Sequence, residues 1–568
     1  MEPLLQVQHL TISFKTENSV VEAVKDLNFS LNRSEILAIV GESGSGKSVT
    51  SFSFLQLLAK TAVINGEILF SGNGKSIQDL KNIQGKDLQS VRGKSIAIIF
   101  QEPMTSLNPV VKCGHQIMEA LKAHKNISNE EAKKQAIHWI SQVKLPDPAI
   151  TFEKYPHELS GGQKQRIVIA MAMCCEPSLL ICDEPTTALD VTVQKSILEL
   201  IKELQVQSKM GVIFITHDLG VVQDIASRAL VLFKGVLVEQ GSIQEIFTNA
   251  KHPYTKALLA CRPSNHDKGI RLPVVSDFLN PESKRKVSEP VHRTEIKNSS
   301  TVLKVNNVSI EFPTKRNLLG KTIKSFKAVN NVSFDIKEGE TLGIVGESGS
   351  GKTTLGRAML RIIEPSEGSI EYRGKNIQTF NATELQALRK DIQLIFQDPY
   401  SSLNPKITIG NAIMEPMIVH RLYENNKQRK EKVIELLHKV NLGEEHFNRY
   451  PHEFSGGQRQ RIVIARALAL NPRFLVCDES VSALDVSVQA QVLNLLNDLK
   501  AALGLTIVFI SHDLSVVKYF CDRMLVLHKG ELIEMGDAEQ IYHSPKEPYT
   551  QSLLNAIPGR ASLATAKG

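Results

Sequence analysis

The chain contains the same long pattern twice, and this duplication constrains its fold more than any other feature. The segment SGGQKQRIVIAMAMCCEPSLLICDEPTTALD, which begins at Ser160, returns as SGGQRQRIVIARALALNPRFLVCDESVSALD from Ser455. Other segments keep the same spacing of 295 residues, so that Asp183 corresponds to Asp478. A constant spacing indicates two copies of one domain, with insertions mainly near the front of each copy.

The spacing also predicts how the chain is divided. The polar stretch from about Ser276 to Ser300 contains two prolines and lacks a sustained apolar period, so we expect a mobile linker there. The predicted segments are a first domain over residues 1–262, a C-terminal extension and linker over 263–301, a second domain over 302–558 and a tail over 559–568.

Short β-branched runs alternate with longer helical patterns within each copy. The runs EILAIV, SIAIIF, LLICDE, GVIFIT and TLGIVG have the continuous apolar character of strands that are buried on both faces. Such strands form a mainly parallel sheet covered by helices, so the sequence predicts an α/β fold for each copy.

Composition excludes several classes of protein. The net charge of +7, from 67 basic and 60 acidic residues, is too small to indicate nucleic-acid binding by itself. The chain has no apolar run of about 18–20 residues and no basic, apolar leader, so we expect neither a membrane span nor a signal peptide. The seven cysteines are odd in number and lack CxxC spacing, which indicates reduced, mostly buried thiols rather than a metal or cluster site.

A glycine-rich loop follows a predicted strand and precedes a predicted helix in each copy. GESGSGKS and GESGSGKT both match the pattern GxxxxGK[ST] in the context that this pattern requires. Backbone N–H groups of such a loop surround phosphate oxygens, the lysine reaches the β- and γ-phosphates, and the last hydroxyl holds Mg²⁺. The predicted nucleotide-binding residues are Gly41, Glu42, Ser43, Gly44, Ser45, Gly46, Lys47 and Ser48, with Gly346, Glu347, Ser348, Gly349, Ser350, Gly351, Lys352 and Thr353.

An apolar strand ends in two acidic residues in each copy. We expect Asp183 and Asp478 to lie beside the phosphate loops and to bind Mg²⁺, often through water. Because side chains alternate along a strand, Glu184 and Glu479 would point elsewhere and could polarise an attacking water. A solvated acidic turn is the alternative, but a phosphate loop in the same copy favours the catalytic interpretation.

The SGGQ segment has neither metal-ligand spacing nor a nucleophile–base pair. It opens a helical run, which predicts a second helix N-terminus with backbone donors suited to phosphate. Since each copy already has a phosphate loop, we interpret this terminus as serving the phosphate bound by a partner domain. The residues concerned are Ser160, Gly161, Gly162, Gln163, Ser455, Gly456, Gly457 and Gln458.

In their order and spacing, these motifs resemble those of ABC-type ATPases across nearly the whole chain apart from the linker. The resemblance implies a P-loop NTPase fold with a helical signature subdomain in each domain. It also implies that two ATP molecules, with Mg²⁺, are sandwiched head to tail. Ser455–Gly457 would then complete the site of the first phosphate loop, and Ser160–Gly162 the site of the second.

The resemblance further assigns roles to single residues. Asp190 and Asp485 match the D-loop, and both copies keep the full catalytic set, so we expect both sites to hydrolyse ATP. Phe14 and Phe312 are candidates to stack on adenine, but each is equally a candidate core residue. The implied catalytic residues are Glu184, Glu479, His217, His512, Gln101 and Gln397, and the implied metal-binding residues are Ser48, Asp183, Gln101, Thr353, Asp478 and Gln397.

Four segments resemble the oligopeptide/dipeptide/nickel importer subfamily, namely EPMTSLNP, DPYSSLNP, HPYTKALL and EPYTQSLL. The fusion of two ATPases in one chain resembles the ATPases of glutathione-type and microcin C-type peptide importers. This implies an energy-coupling ATPase, peripheral on the cytoplasmic face of the inner membrane. It would work with two integral membrane permease subunits and indirectly with a substrate-binding protein. We expect the cargo to be a peptide, and we expect the chain to contact neither the cargo nor nucleic acid. Met104–Pro109 and Tyr400–Pro405 are candidate docking segments; a rigid turn is the alternative.

Other ABC-type ATPases carry sequence features that can be looked for in this chain. Some carry a cysteine-rich C-terminal extension that binds an iron–sulfur cluster, but only Cys261 lies in that region here, so we expect no cluster. Soluble tandem ABC proteins that act on ribosomes usually have a long, charged helical linker, and those that act in DNA repair carry zinc-finger insertions. Neither feature is predicted, which favours transport.

Overall fold

A computed structural model describes residues 2–15, 19–72, 77–187, 189–280, 300–316, 322–482 and 484–560. The chain divides into two compact units. The first contains the chain up to Leu259 together with the segment that begins at Pro558, and the second is Ala260–Ile557. Most of the predicted mobile linker, residues 281–299, lies outside the described residues.

Each unit contains a six-stranded and a four-stranded sheet. The strands of the first unit are β1 (Leu5–Lys15), β2 (Val20–Leu31), β3 (Ile36–Val40), β4 (Ala62–Phe70), β5 (Gln78–Asp79), β6 (Ile96–Ile99), β7 (Leu179–Asp183), β8 (Gly211–Thr216), β9 (Arg228–Phe233) and β10 (Val236–Ser242). Those of the second are β11 (Thr301–Arg316), β12 (Thr322–Lys337), β13 (Thr341–Val345), β14 (Glu367–Tyr372), β15 (Lys375–Asn376), β16 (Ile392–Ile395), β17 (Phe474–Asp478), β18 (Thr506–Ile510), β19 (Arg523–His528) and β20 (Glu531–Asp537).

The six-stranded sheets confirm the predicted parallel architecture. Their strand orders are β10-β9-β3-β8-β7-β6 and β16-β17-β18-β13-β19-β20. All neighbours are parallel except the terminal hairpins β9–β10 and β19–β20. Every residue of β3, β7, β13 and β17 is buried, which explains why these strands read as continuous apolar runs.

The four-stranded sheets are antiparallel and were not predicted. Their orders are β2-β1-β4-β5 and β12-β11-β14-β15. These sheets are only partly buried; β1, for example, alternates buried and partly exposed side chains along much of its length. Its apolar residues share one core cluster with β3 and with the helix that follows the first phosphate loop.

Helices cover the parallel sheets and form an inserted helical subdomain in each unit. Those up to residue 260 are α1 (Lys47–Phe54), α2 (Gly85–Val91), α3 (Pro103–Ser106), α4 (Cys113–His124), α5 (Asn129–Gln142), α6 (Pro148–Glu153), α7 (Gly161–Met173), α8 (Val191–Ser208), α9 (Leu219–Ile225), α10 (Ile243–Thr248) and α11 (Pro253–Ala260). The others are α12 (Val275–Leu279), α13 (Lys352–Met359), α14 (Ala382–Asp391), α15 (Ile409–Val419), α16 (Asn426–Lys439), α17 (Gly456–Leu468), α18 (Val486–Leu503), α19 (Leu514–Phe520), α20 (Ala538–His543) and α21 (Pro548–Asn555).

The helical subdomain lies between β6 and β7 in the first unit and between β16 and β17 in the second. In the first unit α4, α5 and α7 contribute to one apolar core, which confirms the predicted signature subdomain. All seven cysteine side chains are buried, as expected. Within the described ranges, no helix is both long enough and apolar enough to cross a membrane.

Residues 260–279, which we call the strap, pack on the second unit although they follow the first copy in sequence. The side chain of Asn494 on α18 accepts a hydrogen bond from the Leu272 N–H (3.0 Å) and donates one to the Leu272 carbonyl (2.8 Å). The Tyr519 hydroxyl donates to the Ile270 carbonyl over 2.8 Å. The strap is therefore part of the fold of the second unit.

The end of the second copy makes the corresponding connection to the first unit. The Gly559 N–H donates a hydrogen bond of 3.0 Å to the Asp224 carboxylate. Asp224 lies at the position in α9 that corresponds to Tyr519 in α19, 295 residues later. Each copy is thus followed by a segment that binds the equivalent helix of the other unit.

Candidate functional site

The predicted phosphate loops lie between a buried strand and the N-terminus of a helix in both units. Residues 41–46 connect β3 to α1, and residues 346–351 connect β13 to α13. The loop glycines next to the lysines, Gly46 and Gly351, both have φ of 99°, which disfavours any other residue. A Cβ at Gly46 would also lie 2.6 Å from the Ala23 carbonyl oxygen. The loop therefore requires glycine for both its conformation and its packing.

The loop lysine is buried and is held by the loop itself. Lys47 Nζ donates to the carbonyl oxygens of Gly41 (2.8 Å) and Glu42 (2.9 Å). Lys352 makes the same two bonds in the second unit, at 2.8 Å each. These contacts fix the ammonium group inside the concave face of the loop, where it can neutralise phosphate charge.

The predicted pair of magnesium ligands is assembled in each unit. The Ser48 hydroxyl donates to the Asp183 carboxylate, and the Thr353 hydroxyl donates to Asp478, both over 2.9 Å. Burial raises the pKa of Asp183 to about 6 despite the hydrogen bond from Ser48, and it also raises the pKa of Asp478. A buried carboxylate next to a hydroxyl, with oxygen donors alone, has the chemistry that Mg²⁺ prefers.

The three predicted catalytic side chains meet at one carboxylate oxygen in the first unit. Glu184 Oε2 accepts from Gln101 Nε2 over 3.1 Å and lies 3.1 Å from His217 Nδ1. Thr187, which the sequence analysis missed, donates its hydroxyl to the same oxygen over 3.0 Å. Burial alone would raise the pKa of Glu184, but His217, with Lys47 and Thr187, holds the pKa below its usual value.

The second unit brings the equivalent side chains together. Gln397 Nε2 donates to Glu479 Oε2 over 2.8 Å, and His512 Nδ1 lies 3.5 Å from the same oxygen. His512 lowers the pKa of Glu479 against the effect of burial, and Glu479 raises the pKa of His512, again against burial. A carboxylate that stays ionised at neutral pH can accept a hydrogen bond or a proton from water.

The SGGQ segments begin helices, as predicted. Ser160 is the N-cap of α7 and forms a capping box with Gln163, in which the Gln163 N–H donates to Ser160 Oγ (3.4 Å) and Gln163 Oε1 accepts from the Ser160 N–H (3.1 Å). Ser455 and Gln458 repeat this arrangement at the start of α17. The first turn of each helix thus presents the glycine N–H groups at a positively polarised terminus.

The two glycines of each SGGQ segment have different surroundings. A Cβ at Gly162 would lie 2.5 Å from Val193 Cγ1, and one at Gly457 would lie 2.2 Å from Val488 Cγ1, so packing against the next helix requires glycine there. A Cβ at Gly161 would have only Leu189 near it, at 3.7 Å. At Gly456, no heavy atom in the part of the chain that the structure describes would lie within 4 Å.

The remaining predicted positions occupy the edges of the site. Asp190 is the N-cap of α8 and accepts from the Val193 N–H over 2.9 Å, whereas Asp485 is the N-cap of α18 without a side-chain capping hydrogen bond. Phe14 is partly buried against the core of the first unit, whereas Phe312 on β11 is 39% exposed. Both rings keep exposed surface, and that of Phe14 also packs against the core.

A cavity of about 320 Å³ in the first unit reaches Phe100, the residue before Gln101. It is lined mainly by apolar groups from the ends of α1 and β6 and from helices α4 and α7 of the helical subdomain, including Leu57, Phe100 and Met171. The second unit exposes apolar side chains in the corresponding region, with Phe396 at 44% and Ile418 at 50% exposure. Exposed apolar surface of this kind is typical of a protein interaction site.

Comparison with known proteins agrees with this geometry. The family described as ABC transporter matches residues 24–187 and 329–482, and the family described as oligopeptide/dipeptide transporter, C-terminal region, matches residues 238–279 and 533–565. The chain is 48% identical to the Glutathione import ATP-binding protein GsiA of Escherichia coli O6:H1 and to that of Shigella dysenteriae serotype 1. Each comparison covers 98% of this chain and 89% of the relative.

A solved structure of the ATP-binding cassette MJ0796 bound to ADP and Pi aligns with 42% of this chain and 98% of that chain, at 31% identity and a TM-score of 0.37. The family matches together cover more than half of the chain, and they fall on both copies. The chain therefore belongs to the ABC transporter family, as an ATPase with two fused ATP-binding domains, each followed by the oligopeptide/dipeptide transporter C-terminal region.

Proposed function

We propose that this chain is the ATPase of a peptide importer and that both of its sites bind and hydrolyse MgATP. The observation that carries the proposal is the completeness of the two sites. Each has a phosphate-loop lysine, a hydroxyl–aspartate pair and a glutamate that contacts both a glutamine and a histidine. Neither copy has lost a member of this set, which supports hydrolysis at both.

A magnesium ion would be held in each site by a hydroxyl–aspartate pair, because the oxygen atoms of the pair already lie within hydrogen-bond distance. The pairs are Ser48 with Asp183 and Thr353 with Asp478. Mg²⁺ would neutralise charge on the phosphate oxygens. The lysine would bind the β- and γ-phosphates from the other side of the loop. The protein's share of catalysis is then positioning and charge stabilisation.

Glu184 and Glu479 would accept the hydrogen bond of the attacking water in their sites. Gln101 and Gln397 would orient the carboxylate and the water, and His217 and His512 would contact the γ-phosphate. Contacts of 2.8–3.5 Å between these groups support the proposal that they act together on one water and one phosphate.

The signature helices would complete the sites. Ser455, Gly456 and Gly457 would bind the phosphates of the ATP held by the first loop, and residues 160–162 those of the ATP held by the second. The positively polarised helix termini support this role. The space next to Gly456 also supports it, because nothing described in its own unit requires glycine there.

Two membrane permease subunits would bind at the apolar cavity that includes Phe100 and at the exposed apolar surface around Phe396, the residues before the two glutamines. A binding surface next to the glutamine would transmit closure of the ATP site to the permease. The chain would therefore be peripheral, on the cytoplasmic face of the membrane, and would serve a substrate-binding protein only indirectly. The cargo would be a small peptide, as the names of the relatives indicate for those proteins.

The test is affinity purification of the chain from detergent-solubilised cells, followed by ATP-driven uptake in vesicles containing the recovered proteins. We expect two integral membrane proteins in stoichiometric amounts and uptake of a labelled tripeptide that requires ATP. Recovery of ribosomal proteins without a membrane subunit would overturn the transport assignment. Recovery of the permeases without peptide uptake would overturn the cargo.

A further inference from the structure

We propose that Tyr254 and Tyr549, in the C-terminal region of each copy, are positioning residues for the phosphate loops. The hydroxyl oxygen of Tyr254 accepts the N–H of Glu42 over 2.9 Å, and that of Tyr549 accepts the N–H of Glu347 over 3.3 Å. Both donors are the second residue of the GESGSGK loop. Neither tyrosine is part of the predicted nucleotide-binding set, and this inference rests on the nucleotide binding proposed above.

The tyrosine ring is fixed by packing in both units. Tyr254 is fully buried, and its ring lies 4.2 Å from that of Phe233, the last residue of β9. The ring of Tyr549 is stacked at 3.9 Å, nearly parallel, on His528, the last residue of β19. Because β9 and β19 adjoin the strands that enter the phosphate loops, the ring lies directly beside the loop.

The helix that carries the tyrosine is also anchored. In the first unit the Glu239 carboxylate on β10 accepts the N–H groups of Lys251 (2.7 Å) and His252 (3.0 Å), just before α11. In the second unit Glu534 on β20 accepts those of Lys546 (2.9 Å) and Glu547 (3.4 Å) before α21. The hydroxyl is therefore presented to the loop from a rigid support.

The contact reaches the catalytic lysine through one peptide unit. Tyr254 binds the N–H of Glu42, and the carbonyl oxygen of Gly41, which belongs to the same peptide unit, accepts from Lys47 Nζ over 2.8 Å. Removing the hydroxyl would remove one of the contacts that hold this peptide unit, whose carbonyl orients the lysine. A loop with several glycines has much conformational freedom to lose on binding, so preorganisation should raise the affinity for nucleotide.

The two copies provide independent support, since a contact without a role would not be expected at the same position in both. The pairing recurs in both copies, with the tyrosines 295 residues apart, although the ring beneath the tyrosine changes from phenylalanine to histidine. The hydrogen bond, rather than a particular aromatic pair, is what the two copies share. The role is therefore assigned to the hydroxyl group.

The experiment uses the full chain with Tyr254→Phe, which keeps the ring and removes the hydroxyl. It is made in a Lys352→Ala background, so that ATP binding reports on the first loop. We expect the Kd for ATP to rise about three- to tenfold, as for the loss of one hydrogen bond, with kcat at saturating ATP and the Tm unchanged. Amide exchange at Glu42 should become faster. Tyr549→Phe should have a smaller effect in the reciprocal Lys47→Ala background, because its bond is longer.

Tyr542→Phe in the Lys47→Ala background is the matched control for Tyr549→Phe, since Tyr542 is buried in the C-terminal region of the second copy and its hydroxyl faces Ser515 at 3.5 Å rather than a loop. We expect wild-type affinity from it. A Tyr254→Phe chain with unchanged Kd and unchanged Glu42 exchange would overturn the inference. A fall in Tm with equal changes in kcat and KM would also overturn it, by showing a merely structural role. If the Lys352→Ala chain itself failed to bind ATP, the proposed function would fail instead.

Discussion

The hydroxyl of Thr187 donates a hydrogen bond to the Glu184 carboxylate over 3.0 Å, and this bond has no equivalent among the described contacts of the second unit. There the corresponding residue is Ser482, whose hydroxyl donates to the main-chain carbonyl of Glu479 over 2.9 Å. The His217–Glu184 distance is also shorter, 3.1 Å against 3.5 Å for His512 and Glu479. The Glu184 carboxylate thus accepts a hydroxyl hydrogen bond that Glu479 lacks among the described contacts, although its bond from the glutamine is longer, 3.1 Å against 2.8 Å.

This asymmetry predicts unequal effects of removing the two hydroxyl groups. Thr187→Val should lower single-turnover hydrolysis at the first site by up to about tenfold, since a hydrogen bond to a charged group is lost. Ser482→Ala should change the second site less, because its hydroxyl does not contact the carboxylate. Each is measured as phosphate release with the other site disabled. Equal losses at the two sites would contradict the interpretation.

If Glu184 and Glu479 are the general bases that we propose, replacing either one by glutamine should remove turnover at its own site and leave the other site active. Loss of a general base usually lowers the rate by about 10²–10⁴. Glu184→Gln and Glu479→Gln should therefore each lower steady-state phosphate release while ATP still binds, and the double variant should be inactive. Glu199→Gln, at an exposed position of α8, is the control. Full turnover in the Glu479→Gln chain would show that the second site does not hydrolyse ATP.

The two signature glycines of the second unit should respond differently to alanine. In Gly457→Ala the new methyl group would lie 2.2 Å from Val488 Cγ1, so overpacking should cost about 1–3 kcal/mol of folding free energy and lower the Tm. Gly456→Ala meets no such obstacle in the described part of its unit and should leave the Tm unchanged or raised. Its ATP hydrolysis should nevertheless fall at least about tenfold if Gly456 binds phosphate.

Thermal unfolding and phosphate release, measured side by side, check this prediction. The informative variant is Gly456→Ala, because a stable protein with lost activity separates a ligand-binding role from a packing role. Normal activity in that variant would contradict the phosphate-binding role proposed for Gly456.

The sequence was sufficient to predict the parallel sheet and the grouping of the candidate site residues for a physical reason. Phosphate loops depend on glycines at fixed spacing, and doubly covered strands are continuously apolar, so both leave local patterns. The antiparallel sheets leave a weaker pattern: β1 has partly exposed side chains and register shifts, and it was not predicted. The start of the predicted linker instead forms α12, which packs as part of the second unit.

The contacts that escaped prediction are those between residues distant in sequence. Tyr254 and Glu42 are 212 residues apart, and Asn494 and Leu272 are 222 residues apart. Propensity and periodicity describe neighbours in the chain and contain no information about such pairs. The repeat offered the one available signal, since the tyrosine recurs at the same position of each copy.

The strap predicts a stability effect at Asn494. Asn494→Ala would leave the buried N–H and carbonyl of Leu272 without their partner, at about 1–3 kcal/mol each. We expect earlier unfolding of the second unit in urea and faster amide exchange at Leu272. Glu199→Ala is the matched control, because Glu199 is the exposed counterpart of Asn494 in α8. Unchanged exchange at Leu272 would show that the strap is held by other contacts.

The apolar cavity of the first unit predicts a variant that separates ATP binding from permease docking. Leu57 lines the cavity and is 41% exposed, so Leu57→Asp places a charge there with little effect on the core. We expect the isolated chain to bind ATP normally but to recover much less permease in affinity purification. Val206→Asp is the control, since Val206 is an exposed apolar residue on α8 that does not line the cavity. Equal permease recovery with both variants would place the docking surface elsewhere.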